Sequence, residues 1–318
     1  MTGIALGLVA DIGRVSVRFG LTGGTSGIAP SDVQSFNASD HPSFTSALIA
    51  YLTAVGLRDA TLPSVLAVAG AARGDVINLT GSRWYISLAG VEAVLRAKPV
   101  ALNECAASAL ALTLLGPSDF LPLPGPPPRP IAAGGNYLVV APGTGLGIAA
   151  LLTQGGRLVP IQSEAGHMML AARGAEENRL VEALTRRGTV ASVEALLSAS
   201  GLVSAYAALA ETPAPGLAPE DVTRNASRDP AAAAALGMFI DQLGSVIGDL
   251  VLAFGAWDGV FLTGSIARAI RPRIAGTGFR ERLEAKAAFR RQLCDVPVSV
   301  VGRSQLELLG AAVALSGA

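Results

Sequence analysis

Two apolar segments of this chain each lead into a glycine-containing turn and a second strand-like segment, and this repeat constrains the fold most. Residues 4–10 (IALGLVA) form an uninterrupted apolar run, which is typical of a strand buried on both faces. Asp11-Ile12-Gly13 follows as a turn, and residues 14–21 then alternate between polar and apolar side chains, as in a half-buried strand. The pattern returns at residues 137–152 (YLVVAPGTGLGIAALL). We therefore expect two halves that each open with strand, tight turn and strand.

The rest of the chain alternates between strand-like and helix-like segments, which indicates an α/β fold. The predicted strands are 64–69, 259–262 and 298–301, with turn-and-strand material at 74–87. The predicted helices are 43–56, 88–97, 175–187, 190–199 and 305–315, and residues 229–256 form one long alanine-rich helix or two. The proline-rich segment 116–130 predicts an extended loop, because proline is excluded from helix interiors and central strands.

Length and charge narrow the class of protein. At roughly 150 residues per domain, 318 residues predict about two domains. A formal net charge of +0 argues against a nucleic-acid-binding protein, since such proteins carry a basic excess or stripe. Hydrophobic residues make up 51% and charged residues 15%, which excludes a disordered chain.

The mean hydropathy of +0.49 raises the question of a membrane protein. The longest uncharged stretch, between Arg129 and Arg157, is interrupted by Asn136, Pro142 and seven glycines, so we expect no membrane span. The first residues lack the basic segment of a signal peptide, and we expect a cytoplasmic protein. Cys105 and Cys294 form no CxxC or Cys/His cluster, which indicates neither a disulfide scaffold nor a zinc site.

Three glycine turns follow apolar strands: Asp11–Gly13, Gly143–Gly147 and Gly264-Ser265. Such turns bring backbone N–H groups close to a ligand above the strand ends, and those groups suit phosphate oxygens. Thr144 adds a hydroxyl group to the second turn. The alternative is an ordinary hairpin glycine. None of the turns fits the lysine-containing P-loop, and the dinucleotide fingerprint fails because the second turn leads into a strand.

Two further groups of residues carry polar chemistry. Asn103-Glu104 follows the apolar residues 99–102, and a carboxylate at a strand end is well placed as a general base. The alternative for Glu104 is an acid that stabilises a helix N-terminus. Glu164 and His167 lie between a strand and a helix, where the carboxylate suits ligand hydroxyls; the alternative for His167 is a structural role.

In combination, these motifs resemble the bacterial glucokinases of the hexokinase and actin-like ATPase superfamily. The resemblance runs in the right order through nearly the whole chain. It rests on Asp11-x-Gly13, Asn103-Glu104, residues 143–147, Glu164-x-Gly166-His167 and residues 188–202. Further matching positions are Arg73-Gly74-Asp75, Asn78, Thr80, Trp84, Gly278-Phe279-Arg280 and Leu308-Leu309-Gly310.

The resemblance implies a two-domain actin-like ATPase (ribonuclease H-like) fold with a ligand cleft between a small and a large α/β domain. We expect a small domain over 1–102, a large domain over 103–304 and a C-terminal helix over 305–318 that returns to the small domain. The implied activity is ATP-dependent phosphorylation of a hexose, most simply glucose, with Mg²⁺ as cofactor.

The family also implies a role for individual residues. Glu104 corresponds to the catalytic base. The implied sugar-binding residues are Asn103, Glu164, His167 and Glu194. The implied nucleotide-binding residues are Asp11, Gly13, Arg14, Gly143, Thr144, Gly145, Gly264 and Ser265, with Asp11 near the metal.

Several positions depart from the family pattern. The first phosphate turn has Arg14 and Val15 where the family has Gly and Thr, and Glu104 stands in place of Asp. Arg14 either strains the turn and blocks the phosphates or supplies charge to them. Ser265 and Ala165 stand where glycines are usual.

These departures leave two alternatives to an active glucokinase. One is a catalytically impaired sugar-binding or regulatory protein, and the other is a kinase of another sugar. The phosphoryl donor also stays open between ATP, another nucleotide and polyphosphate. Low charge and high alanine content are compatible with a homodimer.

Overall fold

The computed structural model describes residues 6–24, 27–79, 82–210 and 216–317. The chain divides into two compact units. Unit 1 comprises Met1–Leu114 and Ser304–Ala318, and unit 2 comprises Leu115–Arg303.

Unit 1 contains seven strands and four α-helices among its described residues. The strands are β1 (Gly7–Ile12), β2 (Ser16–Thr22), β3 (Ser31–Asn37), β4 (Ser64–Val68), β5 (Val76–Asn78), β6 (Tyr85–Ser87) and β7 (Pro99–Asn103). The helices are α1 (Phe44–Ala54), α2 (Leu88–Leu95), α3 (Glu104–Ala111) and α12 (Leu306–Ser316). Five of the strands form the main sheet of the unit, and β5 pairs with β6 in a separate two-stranded sheet.

Unit 2 is built around a six-stranded sheet. Its strands are β8 (Phe120–Pro122), β9 (Gly135–Pro142), β10 (Leu146–Gln154), β11 (Arg157–Ser163), β12 (Gly259–Leu262) and β13 (Val298–Val301). Its helices are α4 (Ala175–Arg186), α5 (Val193–Leu196), α6 (Ala199–Leu209), α7 (Pro219–Asn225), α8 (Pro230–Phe254), α9 (Gly264–Ile274), α10 (Phe279–Glu284) and α11 (Arg290–Cys294).

The two main sheets share an arrangement of five strands, to which the sheet of unit 2 adds β8. The sheet of unit 1 has the order β3-β2-β1-β4-β7, and that of unit 2 has the order β11-β10-β9-β12-β13-β8. In unit 1, β1, β4 and β7 run parallel, while β2 and β3 continue the sheet in antiparallel fashion. In unit 2, β9, β12 and β13 are parallel, and β10 and β11 are antiparallel. The repeated strand, turn and strand in the sequence thus corresponds to β1–β2 and to β9–β10.

Both faces of the unit 1 sheet are covered. Along β1, Leu8 and Ala10 belong to the core formed with α1 and α2, while Val9 packs with Leu308 of α12 on the other face. Because successive side chains of a strand point to opposite faces, a strand covered on both sides must be apolar throughout. This explains the continuous apolar run that opens the sequence.

The division between the units falls after Leu114, whereas the sequence prediction divides the chain after residue 102. The reason is the packing of α3, which lies against α12 and therefore belongs with unit 1. Gly310 of α12 lies so close to α3 that a Cβ atom there would be 1.6 Å from the carbonyl oxygen of Ala107. The glycine allows the backbones of the two helices to approach.

Residues 230–254 form one helix, which settles the alternative of one helix or two over 229–256. Asp229 caps its first turn by accepting hydrogen bonds from the N–H groups of Ala231 and Ala232, and Gly255 ends it with φ of 62°. Among the described residues, α8 is the one helix long and apolar enough to cross a membrane by length and composition. However, 78% of its apolar window is buried in the structure, as expected of a core helix.

Two predicted segments differ from the structure. The helix predicted over 190–199 is instead the short α5 followed by α6, because Ser192 and Ser198 each cap a new helix start. The proline-rich segment 116–130 contains β8, which pairs with β13 at the edge of the sheet. An edge strand tolerates proline because one side of its backbone needs no partner.

The surroundings of Gly310 and Gly237 predict opposite effects of glycine-to-alanine changes on stability. Gly310→Ala forces α12 away from α3, so we expect a lower free energy of unfolding by about 1–3 kcal/mol. Gly237→Ala places a methyl group in α8 where no atom lies within 4 Å, and we expect a gain of about 0.5–1 kcal/mol from helix propensity.

Urea unfolding measures both effects. Trp84 lies in unit 1 and Trp257 in unit 2, so Trp257→Phe leaves Trp84 as the fluorescent reporter of unit 1. Circular dichroism follows Gly237→Ala in unit 2. Equal stability of Gly310→Ala and the parent would contradict the close packing of α12 on α3.

Candidate functional site

In unit 1, the predicted site residues meet at the carboxyl edge of the three parallel strands. Ile12 of β1 is in register with Val68 of β4, and Val68 is in register with Asn103 of β7. The end of β1, the segment after β4 and the Asn103-Glu104 pair therefore lie side by side. In open α/β sheets, this edge is where ligands bind.

Asn103 links two of these segments. Its Oδ1 accepts hydrogen bonds from the N–H groups of Cys105 at 2.8 Å and Ala106 at 3.4 Å, which makes it the N-cap of α3. Its Nδ2 donates to the carbonyl oxygen of Gly70, after β4, at 3.1 Å. These contacts fix the turn that precedes Glu104.

Glu104 is the first residue of α3 and is half-buried. A carboxylate in this position is favoured by the positive end of the helix. Glu104 thus lies both at a helix N-terminus and directly after a strand, the two positions that the sequence interpretations require.

Asp11 lies inside β1 rather than in the turn that the sequence predicts. It is only 8% exposed and is paired in register with Arg18 of β2. The Arg18 Nε donates to Asp11 Oδ2 at 2.8 Å, and a second guanidinium nitrogen bonds to the same oxygen. The neighbouring guanidinium offsets part of the cost of burying the Asp11 carboxylate in a strand.

Glu307 adds a second carboxylate to this pair. It lies in the first turn of α12, with Oε2 3.5 Å from Arg18 and Oε1 3.5 Å from the Ser108 hydroxyl of α3. Burial raises the pKa of Asp11 above its ordinary value, although Arg18 opposes the shift. Burial and the negative charge of Asp11 together raise the pKa of Glu307. The Arg18 guanidinium therefore contacts two carboxylates, those of Asp11 and Glu307.

The turn between β1 and β2 is a hairpin closed by a hydrogen bond from the N–H of Gly13 to the carbonyl oxygen of Ser16 at 3.0 Å. Arg14 and Val15 at its tip are exposed, Val15 by 76%. Neither residue has a positive φ. The sequence allowed for backbone strain at Arg14. That strain is not present, because the backbone at position 14 is not left-handed.

In unit 2, two glycine turns lie next to each other at the carboxyl edge of the parallel strands. β9 and β12 are parallel, and the N–H of Thr263 donates to the carbonyl oxygen of Val140 at 3.0 Å. Gly264 begins α9 with φ of 91°, and a Cβ there would lie 3.3 Å from the carbonyl oxygen of Pro142. The N-terminus of α9 thus opens beside the turn at Gly143–Gly145, while Ser265 is exposed and has no positive φ.

Glu194 contacts the glycine turn directly. Its Oε2 accepts a hydrogen bond from the N–H of Leu146 at 2.7 Å. A Cβ on Gly145 would lie 2.5 Å from the same oxygen. Thr144 occupies the exposed tip of the turn. Glu194 of α5, which the family resemblance predicts to bind sugar, is therefore in contact with the glycine turn of the same unit.

Glu164 and His167 lie at the ends of a single 3₁₀ turn after β11. The N–H of His167 donates to the carbonyl oxygen of Glu164 at 3.0 Å, and both side chains are exposed. Residues three apart in such a turn lie on the same side. The buried Gly166 between them packs against Leu146, since a Cβ there would lie 2.6 Å from the Leu146 carbonyl oxygen. The turn carrying Glu164 and His167 is thus in contact with the end of the glycine turn.

Several motifs of the family resemblance have structural roles. Trp84 is 3% exposed and donates its indole N–H to the carbonyl oxygen of His41. Arg280 donates to the carbonyl oxygens of Leu293, Cys294 and Val296. Gly310 admits α3, as described above, and Thr80 lies outside the described residues.

Arg18 and Glu307 were missed as site residues by the sequence reasoning. The strand alternation puts Arg18 on the polar side of β2, which suggests solvent rather than an ion pair. The hairpin register could have revealed it, because a turn at Gly13–Ser16 places Arg18 opposite Asp11. Nothing in the sequence near Glu307 indicates its contact with Arg18.

Asp11 is the residue that the sequence predicts next to a magnesium ion. The arginine contacts of Asp11 both use Oδ2. In the part of the chain that the structure describes, no three His, Cys, Asp or Glu residues form a metal-binding group. Mg²⁺ at phosphoryl-transfer sites uses one or two carboxylates together with substrate phosphates and water, and a single aspartate is consistent with that pattern.

Comparison with known proteins identifies the family of this chain. A family model for glucokinase matches residues 8–318. A glucokinase of Xanthomonas euvesicatoria pv. vesicatoria (strain 85-10) is 36% identical over 315 residues, which cover 96% of this chain and 93% of the relative. The crystal structure of a glucokinase from an Antarctic psychrotroph has a TM-score of 0.83 and 28% identity, covering 98% of this chain and 99% of that chain.

A more distant structure shares the fold. It is a ROK family glucokinase from Streptomyces griseus in complex with glucose and AMPPNP, with a TM-score of 0.63 and 17% identity. The match covers 97% of this chain and 98% of that chain.

The two similarly ordered sheets, each with its polar edge, define an α/β protein with the actin-like ATPase fold, as the sequence predicted. The chain belongs to the glucokinase family. It is accordingly a sugar kinase, a transferase of the glucokinase type.

The raised pKa of Glu307 predicts a pH effect on stability. The folded state holds this proton more tightly than the unfolded state, in which glutamate has a pKa of about 4.3. The free energy of unfolding therefore falls as the pH rises from about 4.3 through the raised pKa of the folded protein. Glu307→Gln removes this proton exchange, so we expect a smaller decline as the pH rises above about 4.3.

Urea unfolding of unit 1, followed by Trp84 fluorescence in the Trp257→Phe background, measures the decline. Glu92→Gln changes an exposed glutamate of α2 and serves as the control. Parallel pH profiles for Glu307→Gln and the parent would contradict the raised pKa.

Proposed function

We propose that this sugar kinase transfers the γ-phosphoryl group of ATP to glucose, forming glucose 6-phosphate and ADP, with Glu104 as the general base. The observation that carries the proposal is the position of Glu104. It begins a helix at the carboxyl edge of parallel strands, in the same sheet as the strand that bears Asp11. The glucokinase relatives support the choice of sugar, and the AMPPNP bound to the Streptomyces griseus protein supports ATP as donor.

In this mechanism the Glu104 carboxylate accepts the proton of the sugar's 6-hydroxyl group. The oxygen then attacks the γ-phosphorus of ATP, and the bond from that phosphorus to the bridging oxygen of ADP breaks. Asn103, Glu164, His167 and Glu194 bind the sugar hydroxyls. Paired donors and acceptors of this kind reject an analogue that lacks a hydroxyl, because it leaves a polar group unpaired.

The nucleotide interacts with backbone N–H groups and with a few side chains. Gly143, Thr144 and Gly145 contribute one turn, and Gly264 and Ser265 contribute the N-terminus of α9, which favours anions. Asp11, Gly13 and Arg14 serve the phosphates in unit 1. When bound, Mg²⁺ neutralises charge on the transferring phosphoryl group, and Asp11 is the residue that would hold it.

A coupled assay of ADP release tests the function with a panel of hexoses in the presence of Mg²⁺. Turnover with glucose well above the other hexoses is the expected result. Turnover confined to a different sugar would replace glucose as the substrate. No turnover, together with calorimetric binding of glucose, would favour the impaired sugar-binding protein.

Two variants test Glu104 as the base. Glu104→Gln removes the proton acceptor while keeping the shape, and we expect kcat to fall by at least about 10²-fold. Glu104→Asp keeps the carboxylate on a stem shorter by about 1.5 Å, as in the family pattern, and we expect activity to be preserved or raised. Circular dichroism checks that α3 still forms, and Glu92→Gln serves as the matched control. Unchanged activity of Glu104→Gln would remove Glu104 from the mechanism.

Arg14 has its own test, because its side chain is exposed and its backbone is unstrained. If Arg14 supplies charge to the phosphates, Arg14→Gly should weaken binding of AMPPNP by about two- to fivefold, the size expected for an exposed charge pair. Arg14→Lys keeps the charge and should retain most of the affinity. Calorimetry at two salt concentrations measures both. Tighter binding by Arg14→Gly would show instead that the arginine blocks the phosphates.

A further inference from the structure

Gly145 differs from Gly143 and Gly264 in what a side chain would meet there. Gly264 has φ of 91°, where a side chain would be strained. Gly145 has no positive φ, so its backbone conformation is open to alanine. Gly143 also lacks a positive φ, and a Cβ there would meet only the carbonyl oxygen of Gly145 at 3.9 Å. At Gly145, however, a Cβ would lie 2.5 Å from Oε2 of Glu194.

The Glu194 carboxylate is built into this position. Its Oε2 accepts from the N–H of Leu146 at 2.7 Å, the next residue of the turn. Ser192 caps the short helix that carries Glu194, because its hydroxyl accepts from the N–H of Ala195 at 3.2 Å. The carboxylate therefore cannot move away from Gly145 without losing a charge-assisted hydrogen bond.

A second contact holds the other end of the turn. The N–H of Ala199, at the start of α6, donates to the carbonyl oxygen of Gly143 at 2.8 Å. Residues 194–199 thus contact both ends of the turn at 143–146. A displacement of Glu194 by a side chain at position 145 would be opposed by this second contact rather than absorbed by a shift of the whole turn.

We propose that Gly145 is a positioning residue for the sugar, acting through Glu194. Its missing side chain admits the carboxylate that binds the sugar hydroxyls. Its contribution to the nucleotide turn is made by backbone groups, which an alanine at this position would keep. This inference rests on the proposed function, in which Glu194 binds the sugar. It separates Gly145 from Gly143 and Gly264, which share its turn and its sheet edge.

Gly145→Ala tests the inference through a difference between two ligands. The new methyl group displaces Glu194, so we expect the Kd for glucose to rise by about 10- to 100-fold, as for loss of a hydrogen bond to a charged group. The Kd for AMPPNP should change by less than about threefold. Hydrogen exchange of the Leu146 amide should become faster without any ligand, since its acceptor has moved.

Gly134→Ala is the matched control. Gly134 lies in the loop before β9 and has no positive φ. A methyl group at this position would meet no atom within 4 Å, so binding and exchange should be unchanged. Calorimetry with glucose and with AMPPNP separately gives the two affinities for each variant.

A double-mutant comparison shows whether Gly145 acts through Glu194. In Glu194→Ala the carboxylate is absent, so adding Gly145→Ala should cause no further loss of glucose affinity. A further loss equal to that in the parent would overturn the inference, as would a Gly145→Ala variant that loses AMPPNP affinity and keeps its glucose affinity. A parent protein that binds AMPPNP but no sugar would overturn the proposed function together with this inference.

Discussion

The parallel strands of each sheet end at one edge. Because the strands are buried along most of their length, the polar side chains of the candidate site lie at this edge. A strand covered on both faces has no room for uncompensated polar side chains, so β1 and β4 are apolar along most of their length. Polar groups collect where the strands end and backbone N–H groups lose their partners. Asn103 shows the consequence, because one side chain caps α3 and binds the segment after β4.

In unit 1, the guanidinium of Arg18 lies between two carboxylates. Arg18 pairs with Asp11 and approaches Glu307, and the three side chains come from β1, β2 and α12. The helix α12 thus contributes a charge next to Asp11 of β1, in addition to its apolar contacts with the sheet. In unit 2, the corresponding link is made by Glu194, which binds a backbone N–H of the glycine turn. In both units, a donor of the protein itself binds a carboxylate: Arg18 binds Asp11, and the N–H of Leu146 binds Glu194.

Much of the fold could be predicted because its signals are local. The apolar run of β1, the alternation of β2 and the strand and glycine turn at 137–147 each follow from a few consecutive residues. Predictions failed where a distant contact decides the local structure. Asp11 looked like a turn residue because its partner, Arg18, is brought to it only by the hairpin register. Ser192 and Ser198 divided a predicted helix by capping two shorter ones.

The site was predictable in part for the same reason. The strand ends marked Asn103, Glu104 and the glycine turns, and the order of these motifs indicated the family. The strain considered for Arg14 depended on a φ value that a sequence does not contain. The contact of Glu307 with Arg18 joins residues far apart in the sequence. The contact of Glu194 with the turn at Gly145 likewise depends on how α5 packs against the β9–β10 turn.

The most direct test of the central claim is phosphorus NMR of the purified protein incubated with ATP, Mg²⁺ and glucose. The account predicts that the signal of glucose 6-phosphate grows in step with that of ADP, and that both signals stay absent with Glu104→Gln over the same time. ADP appearing with inorganic phosphate alone, or no reaction in the unaltered protein, would contradict the claim that this chain transfers a phosphoryl group to glucose.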